Sequence, residues 1–245
     1  MTLSDSDFIA LLNKIFKKNG LSSLLNQNRC EKFLALTKRM LEENEKYNLT
    51  AIRDPEKIIL NHYADCAVLA TKIAHGARLI DVGCGAGFPT LPLAILRDDL
   101  SILALDSTAK RIAYVERTAE ILALSNVKAV AMRAEDAAKM PEYREAFDLA
   151  TARAVAEMRV LTELCLPFVK VGGAMMAMKG RNAEIELSAS KKAIAILGGR
   201  DAVIENVSLS SDTEELSHPI ITIQKKQKTP DAYPRAFAQI SKKPL

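Results

Sequence analysis

From about residue 5 to residue 46, apolar side chains recur at three- and four-residue intervals. Phe8, Leu11, Leu12 and Ile15 mark one stretch; Phe33, Leu36, Met40 and Leu41 mark the next. That spacing predicts two amphipathic helices, separated at Gly20 and the Ser22–Ser23 pair. A polar, irregular segment covers 48–53, and Asp54-Pro55 then predicts a further helix through His62 to Lys72, with aspartate as cap and proline at the first helical position.

Beyond Ala77 the pattern changes to short apolar runs alternating with helical spacing. Strands are predicted at 77–82, 101–106, 127–132, 147–151, 173–178, 202–209 and 219–224, with helices near 90–97, 108–124, 156–168 and 182–197. Such alternation predicts a mostly parallel sheet covered on both faces. The helix at 108–124 places Ile112, Val115, Ala119 and Leu122 on one side and Lys110, Arg111 and Arg117 elsewhere. Only the polar loop 210–215 separates the last two strands, so they are expected to pair antiparallel at a sheet edge. The fold class is α/β: a Rossmann-like, seven-stranded, mostly parallel sheet with an N-terminal helical cap. The expected organisation is a cap over 1–75, a core over 76–226 and a basic extension over 227–245, integrated in one domain.

Composition narrows the class. With 245 residues, 49% of them hydrophobic, the chain can bury a sizeable core. Its apolar runs fall short of the roughly 18 residues a membrane span needs, and Met1 to Asp7 lacks the pattern of a secretion signal, so a cytoplasmic protein without membrane association is expected. Cys30, Cys66, Cys84 and Cys165 lack Cys-x-x-Cys spacing, and His62, His75 and His218 form no ligand cluster; free thiols and no metal are expected. The net charge of +4 is modest, but the last 21 residues carry Lys225, Lys226, Lys228, Arg235, Lys242 and Lys243 against Asp231 alone. This clustering fits phosphate contact or, more plainly, a solubilising edge strand and extension.

The chemistry concentrates at Asp81-Val-Gly-Cys-Gly-Ala-Gly-Phe88. Gly83, Gly85 and Gly87 lie between a strand and a helix, where backbone without Cβ atoms turns tightly and lets a ligand approach. A dinucleotide fingerprint would need glycine where Phe88 stands, so the loop suits a non-phosphorylated nucleoside cofactor better. Asp81, ending the first strand, suits the ammonium of an amino-acid-bearing cofactor, directly or through water. Asp106, ending the second, is placed to accept hydrogen bonds from ribose hydroxyls. The plainer alternative makes both carboxylates strand-end caps and the glycines a turn. Cys84 reads as a small filler, since no histidine lies near it in sequence as a base.

The loop extends as Leu79-Ile-Asp-Val-Gly-Cys-Gly-Ala-Gly-Phe-Pro-Thr-Leu-Pro-Leu-Ala-Ile95. It is accompanied by Asn48-Leu-Thr-Ala-Ile-Arg-Asp54, His62 with Asp65, Leu105-Asp-Ser107 with Lys110-Arg111, Arg133-Ala-Glu135, Thr151-Ala-Arg-Ala154, Leu166-Pro167, and Lys170-Val-Gly-Gly173 leading to Lys179-Gly180. In order and spacing this set resembles the bacterial 16S ribosomal RNA guanine-N7 methyltransferase family, RsmG or GidB, from about residue 30 to the C-terminus. The resemblance implies a class I S-adenosylmethionine-dependent methyltransferase that acts on guanine N7 of 16S ribosomal RNA, or on the small subunit, at the position usually numbered 527. It implies cofactor contacts at Gly83, Phe88, Ala134, Glu135 and Arg153. The chain departs from the family pattern at Cys84, at Thr90, where glycine is usual, and at Ala236-Phe-Ala-Gln-Ile240, where Arg-Pro-Gly is expected.

Arg153, at the carboxyl end of the fourth strand, reads as the catalytic residue, touching cofactor, RNA phosphate or target base, or else as an ion pair with Asp148 or Glu157. Glu135 reads as an adenine contact or as a cap of the short helix running to Met140. Lys179 is a secondary electrostatic contact or a solvated strand end. RNA contacts are expected at Arg53, Lys110, Arg111, Lys179 and Arg235. His62 and Asp65, three apart on one helix, are expected to hold the cap against the loop. Guanine N7 attacks as a neutral base, so the lack of an acid–base motif agrees with this chemistry. The rival readings are a non-catalytic S-adenosylmethionine- or RNA-binding ribosome assembly factor and a nicotinamide-dependent oxidoreductase, the latter disfavoured by Phe88 and the two-strand sheet ending.

Overall fold

The computed structural model describes residues 3–47 and 50–245; Asn48 and Leu49 of the polar motif lie outside them. Ser4 caps the first helix, α1 (Asp5–Lys18), by accepting the Asp7 N–H. After α2 (Gln27–Tyr47), Asp54 caps α3 (Pro55–Ile58) by accepting the Lys57 N–H at 3.0 Å, as the Asp-Pro pair predicts. The expected continuous helix to Lys72 is instead interrupted. A π-helical turn, Ile59–Ala64, precedes α4 (Asp65–Lys72) and widens the helix at His62.

The core then alternates β1 (Arg78–Val82), α5 (Thr90–Leu96), β2 (Ser101–Asp106), α6 (Ala109–Ile121), β3 (Val127–Ala131), α7 (Ala134–Ala137), β4 (Phe147–Arg153), α8 (Met158–Cys165), β5 (Val169–Met178) and α9 (Ala183–Ile196). It closes on β6 (Gly199–Ser210) and β7 (Glu215–Lys225). The seven strands lie in the order β3-β2-β1-β4-β5-β7-β6. β1 to β5 are parallel, whereas β7 pairs antiparallel with both β5 and β6.

Strand alternation sorts the core onto two faces. Leu79, Ile102 and Ala104 join α5, α6 and the N-terminal helices in one buried cluster; Ile80, Val82, Leu103 and Leu105 join α8 and α9 in the other. The cap helices therefore share a core with the sheet. β6 and β7 run longer than the apolar pattern predicts, because antiparallel pairing also holds polar positions at the strand ends, as at Ser208↔Ser217 and Ser210↔Glu215.

The C-terminal segment is folded against the body. Arg144 donates to the carbonyls of Thr229 and Tyr233 at 2.8 and 2.9 Å, and Ile240 of α10 (Phe237–Lys242) is fully buried. Lys225, counted among the tail's basic residues, is buried beside Glu145 and donates to the Leu166 carbonyl and to Thr229. Among the described residues, no helix is long and apolar enough to cross a membrane.

Candidate active site

The glycine loop is tied to the neighbouring strand as well as to itself, the Gly87 and Phe88 N–H groups donating to the Cys84 carbonyl. The N–H groups of Gly83 and Cys84 donate to the Leu105 carbonyl at 2.7 and 3.0 Å, and Gly85 N–H donates to Asp106 at 3.1 Å. Gly83 has φ +75°, and a Cβ there would lie 2.7 Å from a Val155 methyl. Glycine is required at this point both for its backbone angle and for the close approach of the chain after β4. Cys84 is buried; desolvation, then the charges of Asp81 and Asp106, push its thiol up, so it stays protonated and acts as filler.

A cleft of about 260 Å³ opens at the carboxyl ends of β1, β2 and β4 and beside the turn after β3. Such a crevice beyond the strand ends is where open α/β sheets bind ligands. Of the residues expected to hold a cofactor, Gly83, Asp106, Ala134 and Glu135 line it. Asp106 accepts from Gly85 and Thr108 with its two oxygens and lies 3.6 Å from Arg111. Glu135 does not cap α7, whose N-terminus has no side-chain cap; it lines the cleft instead.

Asp81, Gly85, Gly87 and Phe88 lie behind or beside the cleft. Asp81 is fully buried and accepts the Thr90 hydroxyl at 2.6 Å and the Thr90 N–H at 3.2 Å. Thr90 thus supplies a hydroxyl to the carboxylate. Burial pushes Asp81 up to about 6 despite those hydrogen bonds, and its Oδ1 has no partner.

Arg153 forms neither of the ion pairs expected from sequence. Its guanidinium donates to the Asn61 carbonyl at 2.9 Å and to His62 Nδ1 at 3.2 Å, lies 3.5 Å from Asp65, and sits 5.3 Å above the Phe88 ring. Asp148 instead pairs with Lys170. His62 stacks on Phe88 with centroids 4.5 Å apart, so the π turn, the loop and the end of β4 meet at one point. Desolvation first, then the Arg153 charge, push His62 down to about 3. The next residue, Ala154, has φ +56° and lines the cleft, as do Val155 and Ala156. Sequence reading missed these three, together with Met132, Leu164 and Phe237; the loop residues carry no periodic signal, whereas Leu164 and Phe237 reach the cleft from α8 and α10, whose helical spacing does not single out a ligand position.

Arg53, Lys110 and Arg111 are exposed at the surface. Lys179 and Arg235, expected among the RNA contacts, are engaged within the protein. Lys179 pairs with Glu186 at 2.6 Å and donates to the Ala156 carbonyl, with 10% of its side chain exposed. Arg235 forms a bidentate pair with the buried Glu163 at 2.9 and 2.6 Å. Among the described residues, no group of three or more histidine, cysteine or acidic side chains is arranged to hold a metal ion.

The residues present fit an elongated nucleoside cofactor that carries an ammonium. The backbone at Gly83 leaves no room for a side chain, an acidic oxygen of Asp81 is buried without a partner, and Asp106 and Glu135 present carboxylates along the cleft. The family described as rRNA small subunit methyltransferase G, GidB, matches residues 29–216. A Clostridium beijerinckii protein named ribosomal RNA small subunit methyltransferase G is 43% identical over 97% of this chain and 99% of its own length. Its namesake in Clostridium perfringens strain SM101 is 44% identical over 90% and 92%. An S-adenosylmethionine-dependent O-methyltransferase structure from Thermotoga maritima, 14% identical, shares the fold with a TM-score of 0.52 over 78% of this chain and 72% of its own. The chain therefore belongs to the rRNA small subunit methyltransferase G (GidB) family, on the fold of class I S-adenosylmethionine-dependent methyltransferases.

Proposed function

We propose that this protein transfers the methyl group of S-adenosylmethionine to N7 of a guanine in 16S ribosomal RNA, at the position usually numbered 527, in the cytoplasm. One observation carries the reading: Arg153, held by His62 and Phe88, leads directly into Ala154 and Val155, which line the cleft, and Val155 lies against Gly83, so the guanidinium that would position the base stands next to the cofactor cleft.

In this reading Gly83 admits the amino-acid end of the cofactor, Asp106 takes the ribose hydroxyls, and Ala134 and Glu135 hold the adenine edge. The free oxygen of Asp81 takes the ammonium through a water, since Thr90 occupies the other oxygen. Gly85, Gly87 and Phe88 shape the loop. S-adenosylmethionine supplies a methyl group activated by its sulfonium. The protein's task is to place the guanine lone pair behind that carbon and to exclude water.

Arg153 orients the base through its O6 edge or an adjoining phosphate. Asp65, 3.5 Å away, offsets the guanidinium charge, so Arg153 orients the base without strongly opposing the positive charge that develops on guanine. Arg53, Lys110 and Arg111 contact the RNA backbone. The cap (1–75), core (76–226) and C-terminal extension (227–245) work as one domain, because cap and core share a hydrophobic cluster.

The test is incorporation of labelled methyl into purified small subunits, their precursors and naked 16S RNA, with the modified base mapped by chemical cleavage. Label at a guanine N7 that disappears in Gly83→Ala is the expected result. Binding of cofactor and RNA without incorporation would identify a non-catalytic assembly factor instead.

A further inference from the structure

We propose that Phe237, delivered by the folded C-terminal segment, is the aromatic wall against which the adenine of the cofactor stacks. The inference rests on the cleft being the S-adenosylmethionine site, and it adds a binding residue that lies beyond residue 216, where the family match ends.

Phe237 is 40% exposed although it is large and apolar, and it lines the cleft together with Ala134, Glu135 and Leu164. It opens α10, a helix held from both sides. Upstream, Arg235 grips the buried Glu163; downstream, Ile240 is fully buried in the core, and Arg159 donates to the carbonyls of Pro244 and Leu245 at 2.7 and 2.9 Å. The ring is therefore exposed on an anchored element, held at the cleft wall.

Its place along the cleft assigns its partner. Arg133, which precedes α7 beside Ala134 and Glu135, holds its guanidinium 5.8 Å over the ring. The ring thus stands by the turn after β3, beside Ala134 and Glu135, the residues that hold the adenine edge in the proposed reading. A flat purine presents a π-face that an aromatic side chain receives with little regard to its edge groups. Arg133, which also lines the cleft, steadies the ring through its cation–π contact.

The experiment is titration of the full-length protein with S-adenosylhomocysteine, adenosine and methionine. Phe237→Ala is expected to weaken S-adenosylhomocysteine binding about tenfold, and Phe237→Tyr to stay within about threefold of the parent. The apo melting temperature should hold, because Ile240 anchors the helix. The chain contains no tryptophan, so Phe237→Trp creates a single emitter at the site. Its emission should be quenched by S-adenosylhomocysteine and by adenosine but not by methionine.

Affinity within about twofold of the parent in Phe237→Ala, or tryptophan emission unchanged at saturation, overturns the proposal. Loss of RNA affinity with cofactor affinity intact would overturn it by giving the ring to an RNA base. If the parent protein binds no S-adenosylhomocysteine, the cofactor reading of the cleft itself falls, a result distinct from normal binding by both parent and variant.

Discussion

Arg153 and Asp65 meet where the cap crosses the end of β4: a guanidinium nitrogen lies 3.5 Å from a carboxylate that is 1% exposed and makes no well-aligned hydrogen bond. Removing Arg153 alone leaves that carboxylate beside the His218 ring, whose Nδ1 lies 3.2 Å from the same oxygen, so the cost is about 3 kcal/mol, the low end for breaking a buried pair. Arg153→Ala is thus expected to lose both stability and methyl transfer, which leaves its role ambiguous. The pair Arg153→Met, Asp65→Asn separates the two. It should regain most of the stability while methyl transfer stays about a hundredfold down and cofactor affinity changes little. Turnover restored in the pair would make Arg153 structural.

His62 accepts from Arg153 at Nδ1, because a guanidinium only donates; its Nε2 then carries the proton toward the Thr50 hydroxyl at 3.2 Å. Burial and the neighbouring cation hold it down to about 3, against an ordinary value near 6.5. Depression of the folded value means that the stability linked to a neutral His62 is fully present above about 6.5 and is lost as pH falls toward 3. The drop in urea midpoint between pH 7.5 and pH 5 should be smaller in His62→Gln, by the equivalent of about 2 kcal/mol. Equal drops would mean that His62 is not held neutral.

How legible was this site? The glycine loop and the two strand-end carboxylates stand out in sequence because a parallel βαβ unit forces its ligand loop to the carboxyl end of the first strand. Gly83 and Asp106 do line the cleft. What the sequence hides is depth: Asp81 ends its strand in the expected place, yet the Thr90 hydroxyl caps it from behind. The π turn at His62 has no residue signature, since one extra residue in a helical turn is a matter of packing against Phe88 and Arg153. The tail was opaque for another reason. Basic residues read as free cations until Glu163 and Glu145 are seen beside Arg235 and Lys225.

Gly83 offers a sharp steric test. Alanine there meets a φ of +75° and a Val155 methyl at 2.7 Å, so Gly83→Ala should destabilise by about 1–2 kcal/mol and abolish measurable cofactor binding. Adding Val155→Ala removes the clash but not the backbone strain, and should restore binding only in part. Calorimetric titration of the single and double variants decides it. Unchanged affinity in Gly83→Ala would move the cofactor away from this end of the cleft.

Asp81 sets stability against binding. Its folded value is raised to about 6, with burial as the main cause, so the favourable contribution is full below the ordinary carboxylate range and is lost as pH rises through about 6. At neutral pH the protein holds a buried carboxylate at a cost of about 2–3 kcal/mol. Asp81→Asn should therefore melt higher than the parent at pH 7.5, show no such gain at pH 4, and bind S-adenosylmethionine more weakly. A gain equal at both pH values would show that desolvation of the charge is not the cause, and undiminished binding would remove Asp81 from the ammonium site.

The basic tail divides into cations that hold the fold and cations that face solvent, and the two should respond differently to substitution. Arg235 and Glu163 form a bidentate pair in which the carboxylate is fully buried, so Arg235→Ala should destabilise by about 3–5 kcal/mol. Lys228, Lys242 and Lys243 are exposed. Each of these that contacts phosphate releases counterions on binding, so the triple alanine variant should keep its melting temperature while the slope of log affinity for RNA against log salt flattens by about 0.7 per contact, or about 2 in all. Parent and variant must be compared across the same salt series, because affinity falls with salt in both and only the slope counts contacts. A variant slope equal to the parent's would make the tail a purely structural strap.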